Sequence, residues 1–123
     1  MVSNYKLWMD RAISSLKLAS VKKEPGIYYE DLCFQAQQAV EKALKALLIK
    51  KGQEPERTHN LVVLLQKVMQ FYKVPEDIKD LIILNDYAVQ TRYPGYYTPI
   101  EEGEYFEAIG IAAKTIEWAK KLI

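Results

Sequence analysis

The stretch Cys33-Phe-Gln-Ala-Gln-Gln-Ala-Val-Glu-Lys-Ala-Leu-Lys-Ala-Leu-Leu-Ile-Lys-Lys-Gly52 decides the fold. Its apolar side chains recur at Leu32, Ala36, Ala39, Ala43 and Leu47 on one stripe. Phe34, Val40, Leu44 and Leu48 form a second stripe beside it. A helix that is apolar over most of its circumference belongs in the middle of a bundle, not on its edge. Its centre also carries Gln35, Gln37, Gln38, Glu41 and Lys42. A buried helix keeps such groups only where they find partners. The pattern therefore predicts a helix that nucleates the core and also offers a polar strip to something else.

The chain has 123 residues, half of them hydrophobic (50%), which suffices for one domain over 1–123 with a single core. A net charge of +1 argues against a binder that relies on a broad basic surface, though not against a local basic site. The lone cysteine, Cys33, excludes a disulfide framework and fits a reducing compartment. Lys6, Asp10 and Arg11 interrupt the first residues, so no signal peptide is expected. No apolar run reaches the roughly 18 residues of a membrane helix. The expectation is a soluble cytoplasmic protein with no membrane contact.

Outward from the central helix, read over about 28–51, period and punctuation define four more helices. The first covers about 3–21, with Trp8, Ala12, Ile13, Leu16 and Ala19 on one face, and ends before Pro25-Gly26. Lys50, Lys51 and Gly52 mark the end of the central helix, with Gly52 placed for a left-handed cap. The third runs from an N-cap at Thr58 to about Tyr72 on a stripe of Leu61, Leu64, Leu65, Val68 and Tyr72. The fourth opens at Pro75 with Glu76 and Asp77 and runs to about Thr91 through Ile78, Leu81, Ile82, Asn85 and Tyr87 or Ala88. The fifth opens at Thr98-Pro-Ile-Glu101, which reads as a capping box. Its inward stripe is Tyr105, Ile109, Ala112, Ala113, Ile116 and Ala119. Short connections make neighbouring helices antiparallel. The expected architecture is an all-α up-and-down bundle of four long helices plus a shorter fifth.

Few residues invite chemistry. One histidine and one cysteine far apart do not make a metal site, and the five glycines form no phosphate-binding loop, so no metal and no cofactor are expected. His59 is the one general-base candidate of the usual kind. Arg92 is one of three arginines among many lysines, and its fork suits a carboxylate, a phosphate or a ring face. Tyr87, Tyr93, Tyr96 and Tyr97 lie near it in sequence, where an aromatic ring can stack a base while the guanidinium holds a phosphate. The blander reading pairs Arg92 with Asp86 and uses the tyrosines to plug the bundle end. Gln38 and Lys42, one turn apart, are weaker candidates for a shared cleft. Glu41 and Lys45 are spaced for an i,i+4 pair, and Lys42, Lys45, Lys50 and Lys51 read as a solvated face.

Three motifs in order, Cys33 to Leu48, Thr58-His-Asn-Leu61 and Thr91-Arg-Tyr-Pro94, resemble the HEPN domain family over nearly the whole chain. The chain is also similar to small stand-alone HEPN proteins paired with a separate minimal nucleotidyltransferase. The resemblance implies an up-and-down helical bundle, a homodimer with a cleft between subunits, and work on nucleotides or RNA. Many HEPN domains are metal-independent ribonucleases that use an arginine, then four to six intervening residues, then a histidine. Here no histidine follows Arg92, and His59 belongs to the separate His-Asn-Leu motif. The leading expectation is thus a binding and regulatory module, of the toxin–antitoxin kind, with no catalytic residue. Its ligand-facing candidates are Arg92, Tyr93, His59, Tyr87 and Tyr96. A toxin-like ribonuclease with Arg92 and His59 is the first alternative. A ligand-free dimerisation bundle is the second.

Overall fold

A computed structural model gives the fold and describes residues 4–54, 57–90 and 98–123, with the side chains of 89 and 90 excepted. It contains α1 (Tyr5–Ala19), α2 (Tyr29–Lys50), α3 (Leu61–Val68), a 3-10 segment (Glu76–Asp86) that continues directly into α4 (Tyr87–Gln90), and α5 (Glu102–Leu122). With the 3-10 segment and α4 counted as one rod, this is the all-α bundle of four long helices and one short one. The short helix is α3.

The central helix is buried nearly throughout. Leu32, Cys33, Ala36, Ala39, Val40, Ala43, Leu44, Ala46, Leu47, Leu48 and Ile49 are all core residues, and α2 touches every other element. Its small residues let neighbouring backbones approach, while Leu44 and Leu47 fill the space between them. Gly52, at φ 79°, supplies the left-handed residue that ends it.

Hydrogen bonds at the two ends establish the directions. At one end, the Tyr105 hydroxyl donates to the Ala19 carbonyl (2.6 Å), and the Tyr29 and Tyr105 rings stack with centroids 4.9 Å apart. The end of α1 therefore meets the starts of α2 and α5. At the other end, Lys50 Nζ donates to the Leu122 carbonyl (2.7 Å) and lies 5.6 Å from the Tyr5 ring centroid. So α1 runs opposite to α2, and α5 runs alongside it. Between them the chain turns back, and α3 heads toward the Lys50 end, where the Tyr72 hydroxyl donates to the Leu47 carbonyl (2.9 Å). The 3-10 segment and α4 then return to Tyr87, whose hydroxyl donates to Glu104 Oε2 (2.6 Å).

Three boundaries differ from the sequence reading. The third helix starts at Leu61 and stops at Val68, because Asn60 caps it: its Oδ1 accepts from the Val62 N–H (2.9 Å). Thr58 instead accepts from the Asn60 N–H (3.0 Å), one step earlier. The fifth helix starts at Glu102, not at the Thr98 box. The Ile100 N–H is taken by Glu30 Oε2 of α2 (3.1 Å), and Ile100 is buried, so a tertiary bond replaces the local cap. The fourth helix is 3-10 over Glu76–Asp86. Ile78, Leu81, Leu84 and Tyr87 are buried at a spacing of three, whereas Ile82, assigned to the stripe on the 3.6-residue period, is 43% exposed. Three residues per turn is the 3-10 repeat, so these four side chains eclipse on one face.

Buried Cys33 sits where Tyr87, Glu104 and Glu30 meet. Burial, with the charges of Glu104 and Glu30 behind it, pushes the thiol up to about 12, against an opposing hydrogen bond from Tyr87. A thiol raised in this way contributes stability below its unfolded value of 9.0 and loses it as pH climbs toward the folded value. Native Cys33 should therefore resist alkylation at pH 8, and unfolding midpoints should fall progressively above pH 9. In denaturant titrations Leu84→Ala should lose about 2–5 kcal/mol, while Ile82→Ala should stay within about 1 kcal/mol. Equal losses would reject the three-residue period.

Candidate functional site

The polar strip of α2 is buried, and its centre is the Glu41 carboxylate. Gln37, Glu41 and Lys45 are one turn apart on one face, with relative exposures of 0, 4 and 5%. Lys45 Nζ donates to Glu41 Oε2 (2.9 Å), and Gln37 Nε2 donates to Glu41 Oε1 (3.2 Å). His59 Nδ1 stands 3.1 Å from both carboxylate oxygens. Gln37 Nε2 also reaches the His59 carbonyl (3.3 Å), and Gln38 Nε2 donates to Gln37 Oε1 (2.9 Å). The lysines of α2 are therefore not one solvated face. Lys45 is in the core because the face that carries it meets α1, whereas Lys50 and Lys51 stay exposed.

His59 lies two residues before α3, not in its first turn, because Asn60 is the cap. Asn85 braces this corner. Its Oδ1 accepts from the Leu61 N–H (2.8 Å) and its Nδ2 donates to Asn60 Oδ1 (3.2 Å). The carboxylate of Glu41 only accepts, so Nδ1 carries the proton and Nε2 is the nitrogen left for a ligand. The His59 side chain is 60% exposed while that of Glu41 is 5% exposed. A buried acid thus orients a solvent-facing imidazole. That arrangement can donate to a phosphate oxygen from Nε2, or accept a proton there when the ring is neutral.

At Lys45 the same strip reaches α1. Lys45 Nζ lies 5.7 Å from the centroid of the Trp8 ring, a cation–π contact. Lys42 Nζ donates to the buried Ser15 hydroxyl (2.8 Å). Leu7, Trp8, Arg11 and Lys42 line a groove of about 310 Å³. Gln38 does not line it, so the two weaker candidates separate: Gln38 joins the Glu41 network and Lys42 joins the groove.

Tyr87 is buried, and its hydroxyl is held by Glu104 at the Cys33 end of the bundle. Burial, Glu104 and neighbouring negative charge hold its phenol well above the ordinary range. Arg92, Tyr93, Tyr96 and Tyr97 lie outside the described residues. Sequence reasoning missed Trp8, Arg11 and Ser15, which belong to a different helix from the strip they meet. It also passed over the burial of Lys45. The available signal was the near-continuous apolar surface of α2, which leaves positions 37, 41 and 45 no solvated side to face.

A match to the HEPN domain family model covers residues 5–122, and the chain belongs to the HEPN domain family. It is similar to TT1696 from Thermus thermophilus, whose crystal structure superposes with a TM-score of 0.86 at 30% identity over 100% of both chains. It is also similar to an archaeal HEPN homologue of known crystal structure, with a TM-score of 0.76 at 31% identity over 98% of each chain. No curated protein matches the chain.

The Glu41–Lys45 pair should behave as a buried ion pair. Truncating one partner as Glu41→Ala should lose about 3–5 kcal/mol in urea melts. Combining it with Lys45→Met should lose less than the sum of the two single changes. Strict additivity would show that the two side chains act separately.

Proposed function

We propose that this protein is a nucleotide- or RNA-binding and regulatory module that acts as a homodimer with a minimal nucleotidyltransferase partner. The observation that carries the reading is the His59 imidazole, fixed through Nδ1 by buried Glu41 and presented to solvent. Such a ring is pre-organised to meet a phosphate, because its orientation is set before the ligand arrives. Arg92 is the second phosphate-facing group, with Tyr93 and Tyr96 as stacking surfaces. No histidine follows Arg92, so the Arg-then-His pair of the family's ribonucleases is incomplete in sequence. Binding without cleavage fits that composition best.

Self-association is supported by exposed apolar side chains. Val62, Met69, Ile82 and Ile83 are 38–51% exposed, along α3 and the 3-10 segment. The nucleotidyltransferase partnership rests on the likeness to stand-alone HEPN proteins. Transfer of a nucleotidyl group from a nucleoside triphosphate to the hydroxyl oxygen of Tyr96 or Tyr97, with loss of the phenolic proton and release of pyrophosphate, would appear as a mass shift after incubation with such a partner and the triphosphate.

A ribonuclease reading draws on the same histidine, since an acid-oriented imidazole is also the geometry of a general base. Metal-free incubation with labelled RNA separates the two. The binding reading expects intact RNA, measurable anisotropy, and affinity roughly tenfold weaker in His59→Ala and Arg92→Ala. Cleavage abolished by both substitutions would make the protein a ribonuclease. A dimer that neither binds nor cleaves would leave a structural bundle.

A further inference from the structure

We propose that the groove between α1 and α2 is a second ligand site, for a small molecule that joins a planar ring to a dianionic phosphate, with a nucleoside monophosphate as the fitting size. This goes beyond the His59 reading and stands apart from it. The groove lies between α1 and α2 and is lined by different residues.

Two cations line this one groove of about 310 Å³, and among the described residues neither has a carboxylate partner. Arg11 makes no ion pair there, and the ammonium of Lys42 donates to the Ser15 hydroxyl at 2.8 Å. Ser15 is buried, and its bond to the ammonium leaves two further N–H donors. Burial first, and the Arg11 charge second, disfavour the protonated amine of Lys42, with Glu41 offsetting them in part. Glu41 is already occupied by Lys45, Gln37 and His59. Two like charges held together without a counter-ion are what a bound anion relieves. A dianion matches the pair better than a carboxylate does, and the arginine fork suits phosphate oxygens.

The rest of the groove is apolar and aromatic. Trp8 presents its indole, already polarised by Lys45 at 5.7 Å from its centroid, and Leu7 is 55% exposed beside it. An indole next to an arginine stacks a flat ring while the guanidinium takes the phosphate. The groove volume falls at the lower end of small-ligand sites. Asp10, the acid next to Arg11 in sequence, does not line it.

The protein has two tryptophans, so Trp118→Phe leaves Trp8 as the reporter. Adenosine monophosphate titrated into that variant should quench Trp8 emission saturably. Affinity should fall roughly tenfold in Arg11→Gln and in Lys42→Met, and by less than that in His59→Ala. Adenosine and inorganic phosphate should each bind more weakly than the joined molecule. The proposal is overturned by an absence of saturable quenching, by adenosine binding as tightly as its monophosphate, or by dependence on His59 in place of Arg11. Circular dichroism on each variant separates lost binding from lost folding. Failure of RNA binding at His59 would leave these outcomes unaffected.

Discussion

The Glu41 carboxylate is the constraint around which the rest of the molecule is arranged. Removing a charge from water costs several kcal/mol, and mutual attraction recovers it only when every lone pair is satisfied. Here Lys45, Gln37 and His59 supply those donors, from two positions on the same helix and one on the next connection. The requirement binds α2 to the start of α3 at one register. A slip of α3 by one residue would leave a buried acid without one of its donors, which packing alone could not repair.

The same carboxylate links two surfaces. On one side it orients an exposed imidazole. On the other, the ammonium it holds underlies Trp8 and the α1 groove. A polar path therefore crosses the centre of a helix that is otherwise apolar. Its extremes reach two neighbours of α2, at the start of α3 and along α1. Tyrosines close both ends of the bundle. Tyr29, Tyr87 and Tyr105 close one end against acids and a backbone carbonyl, and Tyr5 and Tyr72 receive lysines at the other. Those contacts hold the long helices in place while leaving the middle of α2 for the Glu41 network.

How much of the site was legible differs residue by residue. His59 stood out as the sole histidine, and Gln37 and Glu41 stood out as polar groups on a helix with no room for them. Their mutual contact did not, since eighteen positions separate Glu41 from His59 and no local pattern encodes that approach. Lys45 looked like half of an ordinary surface pair, because an i,i+4 spacing is the same whether or not a neighbour covers it. Arg11 carried no signal in sequence and Lys42 only a weak one, and the two became a pair when α1 packed against α2.

By itself the sequence determined the all-α class, the central place of α2, the glycine stop at position 52 and the family, since these depend on periodicity and local backbone preference. It also held the three-residue spacing of Ile78, Leu81, Leu84 and Tyr87, though the 3.6-residue template hid it. Tertiary structure decided the rest. It moved the start of α5 by giving the Ile100 N–H to Glu30, and buried an ion pair that sequence spacing placed in solvent. The physical reason is common to both. A hydrogen-bond donor or a charge takes the partner that burial brings to it, and that partner comes from a distant part of the chain.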